Sequence, residues 1–298
     1  MIAIPTAGRQ AGLRRLLSAL AAAYGSREDV HLLVVDNDAA ASSRSIFDEW
    51  SARFGDRSMY VVEPVRGYAS VRNAVLANAG DVAAIAMIDD DEIPTAGWLD
   101  ELLAAQRRTR ADVVAGPVLF EFPADAPGWF QKSGVFDIDC PTLPEGAEMK
   151  WCASNNTLLR VDAARRVPGG FDPKFNAMSG EDSHYFLRAH LRGCKIVWTN
   201  AAVVREVVPA SRLNRSWILK RAIRAGNTRA LIELELIRSP GIVLVRFLKA
   251  AGLLTIGAGY ACAALLLRDR ALGLRAINRV GRAYGMFLAF RSLEPWAP

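Results

Sequence analysis

The sequence predicts an α/β fold, a sheet of mostly parallel strands flanked by helices, followed by a helical tail of different chemical character. Three observations lead there. Short apolar runs alternate with helical patterns over the first two thirds of the chain, two of those runs end in carboxylates, and the charge divides abruptly near residue 205. Residues 205–298 hold 16 basic and 5 acidic side chains of totals of 37 and 31, leaving 21 and 26 for residues 1–204. With 298 residues, 51% of them hydrophobic and 23% charged, the chain can build one large or two ordinary domains and is too apolar to be disordered. A mean hydropathy of +0.12 is high for a purely soluble protein and points to a greasy surface.

The elements follow in order. Ile2–Ile4 is an apolar run stopped by Pro5, without the charged and apolar segments of an export signal, so a cytosolic location is expected. Leu13, Leu16, Leu17 and Leu20 recur at helical spacing, and His31 to Val35 reads as a strand ending at Asp36. Tyr60 to Glu63 reads as a strand, Ser70 to Asn78 as a helix, Val82 to Ile88 as a buried strand and Gly97 to Arg108 as a helix. Val113 to Phe122 reads as one strand, and the proline-rich, aromatic stretch from Phe122 to Glu148 as a long loop or small excursion. Ala153 to Leu159 and Lys195 to Thr199 are later strands, with a helix from Glu181 to about Arg192 between them. Cys140, Cys152, Cys194 and Cys262 stand far apart and suggest neither a zinc site nor a disulfide framework.

Chemistry concentrates in four places. Asp89-Asp90-Asp91-Glu92 follows an apolar strand directly, which would deliver carboxylates to the carboxyl edge of the sheet; their mutual repulsion is relieved by a divalent cation. The bland alternative is a solvated acidic turn capping the next helix. Asp36-Asn37-Asp38 also ends a strand, where a carboxylate could meet a ribose hydroxyl or a base edge, or merely bond its own turn. Gly67 would permit close backbone approach, and Arg72 could pair with a phosphate or with a carboxylate in a structural ion pair. Glu181 and Asp182 open a helix, where capping is compatible with a general base. His31, His184 and His190 have no metal-site spacing.

Taken together, Ile4-Pro5-Thr6-Ala7-Gly8-Arg9, Val35-Asp36-Asn37, Gly67 with Arg72-Asn73, Asp89-Asp90-Asp91 and Gly180-Glu181-Asp182 resemble, in order and spacing, a family 2 glycosyltransferase. The likeness covers residues 2 to about 208. It implies the GT-A fold, a Rossmann-like mixed sheet flanked by helices, and inverting transfer of a sugar from a nucleotide-sugar, with UDP the expected nucleotide. By that resemblance Pro5, Thr6, Arg9, Asp36, Arg72, Asp89 and Asp90 would contact the nucleotide, and Asp91 would bind Mn²⁺ or Mg²⁺. Asp182 would be the base, and Trp151, Asn155, Asn156 and Glu181 would stand at the sugar or acceptor. Two departures are visible. The family's Tyr-Asn is replaced by Ala7-Gly8, and Glu206 stands about where members often carry a metal-binding His.

The tail from Glu206 through Arg212, Trp217 and Arg221 to Gly226 resembles the subgroup that builds bacterial surface polysaccharides. This implies a lipid-linked saccharide acceptor at the cytoplasmic face of the inner membrane and two domains, 1–208 catalytic and 209–298 membrane-associating. Ala250 to Leu267 is an 18-residue apolar run flanked by Arg246, Lys249, Arg268 and Arg270, enough to span a bilayer or to lie along it. Ala271 to Phe290 carries Arg275, Arg279 and Arg282 on one face, as a helix on an anionic membrane surface would. A tightly packed helical subdomain is the soluble alternative for this tail. No nucleic-acid partner is expected, because no recognition motif accompanies the charge. The missing Gly-rich loop after the first strand disfavours a nucleotidyltransferase or a NAD-dependent oxidoreductase, while a catalytically degenerate scaffold is the non-enzymatic alternative.

Overall fold

A computed structural model describes residues 1–139, 143–237 and 239–291. Chain contacts divide it into two compact units, the first taking residues 1–119, 143–176 and 181–206 and the second 120–139, 177–180 and 207–291. Cys140 lies outside the described residues; Cys152 and Cys194 are buried free thiols and Cys262 is exposed.

In the first unit β1 (Ile2–Thr6), α1 (Gln10–Tyr24), β2 (Leu32–Asp36), α2 (Arg44–Ser51), β3 (Ser58–Val62), α3 (Tyr68–Ala77), β4 (Ala84–Ile88), β5 (Glu92–Pro94), α4 (Trp98–Thr109) and β6 (Val113–Ala115) follow one another. The chain then passes through β7 (Val118–Glu121) and α5 (Gly128–Ser133), and resumes with β8 (Glu148–Met149), β9 (Asn156–Arg160), α6 (Val161–Arg165), α7 (Glu181–Leu191), β10 (Ile196–Trp198) and β11 (Val204–Val207). Three long helices complete it: α8 (Arg215–Leu236), α9 (Pro240–Leu267) and α10 (Arg270–Ala289).

The main sheet has the order β3-β2-β1-β4-β9-β6-β10-β8. β3, β2, β1 and β4 run parallel; β2 and β4 are the buried apolar runs expected of strands covered on both faces, while β3 is a partly exposed edge strand. β9 inserts antiparallel to both β4 and β6, so the sheet is mixed. Leu13, Leu16, Leu17 and Leu20 of α1 are wholly buried, as the spacing predicts. The single strand expected over Val113–Phe122 is broken into β6 and β7 at Gly116-Pro117. Proline there cannot donate to a ladder, and a side chain at residue 116 would strike the carbonyl oxygen of Ala202.

The second unit takes up part of the stretch expected as a long loop or small excursion. Phe130, Val135 and Phe136 form a core with Val208, Ile218 and Leu274, so residues 120–139 belong with the tail and not with the sheet. Phe136 stacks on Trp217 at 5.6 Å, and the Arg221 guanidinium lies over both rings. α10, expected as a basic amphipathic helix, packs along α8 and α9 through Ala271, Leu274, Ala283, Met286 and Ala289. Arg275 of its basic stripe donates to the carbonyls of Lys132 and Ser133 at the end of α5.

Candidate active site

The strand register itself assembles the site. Thr6 pairs with Asp36 across β1 and β2, and the alignment of Ala3 with Met87 carries on to set Thr6 beside Asp90. The carboxyl ends of β2, β1 and β4 thus present Asp36, Thr6 and the Asp89–Asp91 loop along one edge, where open α/β sheets bind their ligands.

At β2 the Asp36 carboxylate is fully buried. Its Oδ2 accepts from the Ser43 backbone N–H at 2.8 Å and from the Tyr60 hydroxyl at 2.5 Å, while Oδ1 accepts nothing from the protein. A buried, orphaned carboxylate oxygen is costly and fits a place where a ligand supplies the donor. Burial and the Asp36 charge push the Tyr60 hydroxyl up, so it donates at any working pH. Asn37 plays a structural part: its amide donates to the carbonyls of Glu63 and Val65, and its oxygen accepts from Gly67. Asp38 bonds the backbone of Ala40 in a local turn.

At β4 the carboxylates have distinct surroundings. Asp90 is buried, accepting from Thr6 Oγ1 at 2.7 Å and Arg9 at 3.0 Å; Arg9 also reaches Asp91 at 2.8 Å. Burial pushes Asp89 up to about 7, Arg72 opposes this, and Asp91 and Asp90 add to it. Glu92, which the sequence reading left without a role, is buried in β5 directly opposite Glu206 of β11. It accepts from the Asp89 N–H at 3.0 Å and from Asn155 at 2.6 Å. Burial, Asp89 and Glu206 together raise it well above the usual carboxylate range. Like charges placed directly opposite are destabilising, and hard oxygen donors crowded this way fit a divalent cation. Asp89, Asp91, Glu92 and Glu206 therefore suit a metal chemically.

Arg72 is buried and paired on three sides: Ser154 Oγ at 2.5 Å, Glu181 at 3.0 Å and Asp89 at 3.4 Å. Burial works against its charge, but Glu181, Asp89 and Asp182 outweigh burial and raise it. Of the two alternatives for Arg72, the carboxylate pair is the one present. Glu181 is consequently buried behind Arg72, while Asp182 beside it in the first turn of α7 is half-exposed. Gly67 permits a close approach, but of the Asn176 side chain: an added Cβ would lie 2.3 Å from it. Asn176 then caps α3 by accepting from the Ser70 N–H at 2.9 Å, a role with no sequence signal because the two residues are remote in the chain.

Of the expected acceptor-side residues, one is engaged inside the fold and another is half-buried. Asn156 is buried and its amide is spent inside the fold, accepting from Trp98 Nε1 at 2.7 Å and donating to the carbonyls of Pro117 and Ala202. Trp151 is half-buried against the main core. Pro5 is half-buried in β1, next to Thr6.

Comparison with known proteins agrees with this frame. The family model described as glycosyl transferase family 2 matches residues 1–163. The chain is 30% identical over 296 residues to the succinoglycan biosynthesis protein ExoM of Rhizobium meliloti, covering 97% of this chain and 93% of that one. Among solved structures, the mannosyltransferase PcManGT from Pyrobaculum calidifontis in complex with GDP-Man and Mn²⁺ is similar at a TM-score of 0.64 and 17% identity, over 96% of this chain and 85% of that one. S. aureus TarS 1-349 in complex with UDP-GlcNAc is similar at 0.56 and 14% identity, over 97% and 90%. With the mixed sheet and the motifs along its edge, these matches place the chain in glycosyl transferase family 2, with the GT-A fold.

Proposed function

We propose that this enzyme transfers a sugar, with inversion, from a nucleoside-diphosphate sugar to a hydroxyl of a lipid-linked or growing polysaccharide at the cytoplasmic face of the membrane. The observation that carries the reading is the orphaned Asp36 Oδ1, in line with Thr6 and the Asp89–Asp91 carboxylates on one sheet edge. A ribose hydroxyl or base N–H supplies the missing donor there. GDP-Man in one structural relative and UDP-GlcNAc in another support a nucleotide-sugar, with UDP the first to test.

In this reading Pro5, Thr6 and Asp36 hold the nucleoside, while Arg9, Asp89 and Asp90 hold its diphosphate end. Arg72 acts by fixing Asp89 and Glu181. Asp91 and Glu206, with Glu92 alongside, would hold Mn²⁺ or Mg²⁺, which when bound neutralises charge on the departing diphosphate. Arg9 pairs with Asp91 and would share it with the cation. Asp182 accepts the proton of the acceptor hydroxyl. The acceptor oxygen then bonds C1 on one face as the bond from C1 to the diphosphate breaks on the other. Asn155 and Trp151 lie toward the acceptor, and Asn155 keeps Glu92 in place. The exposed apolar α9 and the basic tail supply the membrane contact.

The test is release of nucleoside diphosphate from a panel of nucleotide-sugars, with Mn²⁺ or with chelator, by the wild type, Asp91→Ala and Asp182→Asn. Metal-dependent release lost in both variants is expected. Release that chelator and both substitutions leave unchanged would refute the assignment, and failure to bind any nucleotide-sugar would favour a degenerate scaffold.

A further inference from the structure

α9 is the apolar anomaly of the molecule. Gly241–Leu267 is the one stretch among the described residues long and apolar enough to cross a membrane, and most of it is exposed. Leu244, Leu248, Cys262 and Leu266 recur along one face, with Leu266 83% exposed, and no acidic residue interrupts the helix. Lys249, Arg268 and Arg270 flank the apolar run with positive charge. An apolar face with basic flanks is complementary to an anionic bilayer.

The opposite face decides the orientation. Arg246 is buried and ion-paired with Glu233 of α8, which also pairs with Arg229 at 2.7 Å. Farther along, Gly257 meets Val280 and Arg279 of α10, Tyr260 lies under Arg275 at 6.0 Å, and Phe247 meets Phe287 edge-on at 6.0 Å. α9 and α10 therefore run antiparallel side by side. Gly257 is three residues past the midpoint of the apolar stretch, about 4.5 Å along the axis. Were α9 to cross the bilayer, Arg279 would be carried close to its centre and Arg275 to about 9 Å from it, both within the hydrocarbon core where charge is expensive.

α10 is not free to stay behind. Side chains at Gly226, Gly281 or Gly285 would strike α10 or α8: an added Cβ at Gly285 would lie 2.0 Å from the Ile223 carbonyl oxygen. Arg275 also holds the end of α5. The helix that lines α9 is thus locked into the globular unit. We propose that α9 is a monotopic anchor, lying flat in one leaflet of an anionic bilayer with its Leu244–Leu248–Leu266 face in the acyl chains and its Arg246–Gly257 face on α8 and α10. This rests on the membrane contact proposed above and adds its geometry.

The test uses the full chain with Cys140 and Cys262 replaced by alanine, carrying either Arg215→Cys before α9 or Arg270→Cys after it. A membrane-impermeant maleimide is applied to spheroplasts and to inverted vesicles of a bacterial host. Both cysteines should react only in inverted vesicles; reaction from opposite sides means a span and overturns the proposal while leaving the enzymatic reading intact. In parallel, Leu266→Trp is bound to phosphatidylcholine–phosphatidylglycerol vesicles brominated at shallow or mid-chain depth. Shallow quenching is expected and stronger mid-chain quenching counts against an in-plane helix. Leu248→Glu and Leu266→Glu should each weaken flotation with these vesicles about tenfold. A wild-type chain that does not float, or that instead dimerises through α9 without lipid, overturns this proposal and the membrane contact beneath it, whatever the sugar-transfer assay shows.

Discussion

Asp36 and Asp182 are both carboxylates of the candidate site, and their surroundings differ in a way that supports the separate roles proposed for them. Asp36 is buried and held by Ser43 and Tyr60, as a binding group should be, whereas Asp182 is half-exposed at a helix start, where a proton can leave. Asp182→Asn should therefore lower kcat by about 10² to 10⁴ while nucleotide affinity stays within about twofold, as read by diphosphate release and calorimetric binding. Tyr60→Phe removes a hydrogen bond to a charged group, of order 1.5–3 kcal/mol, and should weaken nucleotide binding by about tenfold or more; unchanged affinity would remove Asp36 from the nucleoside pocket. Asp89 gives a pH signature. Burial raises it from 3.8 to about 7, so its proton stabilises the folded state fully below the ordinary value, and this contribution is lost as pH rises through about 7. Thermal melts of metal-free protein should accordingly fall between about pH 4 and 7, Mn²⁺ should offset the fall, and Asp89→Asn should flatten it.

At the scale of elements, two locks hold what the chemistry needs. Asn156 ties β9 to α4 and to the carbonyls of Pro117 and Ala202. Asn156→Ala would strand three buried polar groups, each worth about 1–3 kcal/mol, so the urea midpoint should drop steeply; a shift smaller than one such group would contradict the role. The Asn was visible in the sequence but its job was not, because its three partners come from distant parts of the chain. The same holds for Glu92. It stood in a run of four carboxylates, yet only pairing of β5 with β11 sets it directly opposite a second carboxylate, Glu206. In the tail, Gly285→Leu should wedge α8 from α10 and cost about 1–3 kcal/mol or more, measured as a fall in Tm.

For the whole molecule, the charge division and the aromatic segment make separate forecasts. The basic tail adsorbs to anionic lipid at about 1 kcal/mol per Lys or Arg near the surface, screened within about 10 Å at 0.1 M salt. Vesicle binding should thus weaken sharply with salt but retain an apolar remainder from α9; full release by salt would leave α9 no part in it. Cutting the chain at residue 208, where the charge pattern suggests a boundary, leaves Phe130 and Phe136 without Ile218, Leu274 and Trp217. The 1–208 fragment should therefore aggregate, whereas the intact chain remains dispersed.

Local patterns by themselves determined the alternating strands and helices, the carboxylates at strand ends and the change of character near residue 205. Each of these is written in nearest neighbours: period, a strand end, a helix start, a run of like charge. Tertiary structure alone decided that β9 runs antiparallel, that residues 120–139 leave the sheet for the tail, that Arg72 is consumed by Glu181 and Asp89, and that α10 packs against α8 and α9. The physical reason is common to all four. Which partner satisfies a buried charge or covers an apolar face depends on groups brought together from far apart in the chain, and no local period encodes that meeting.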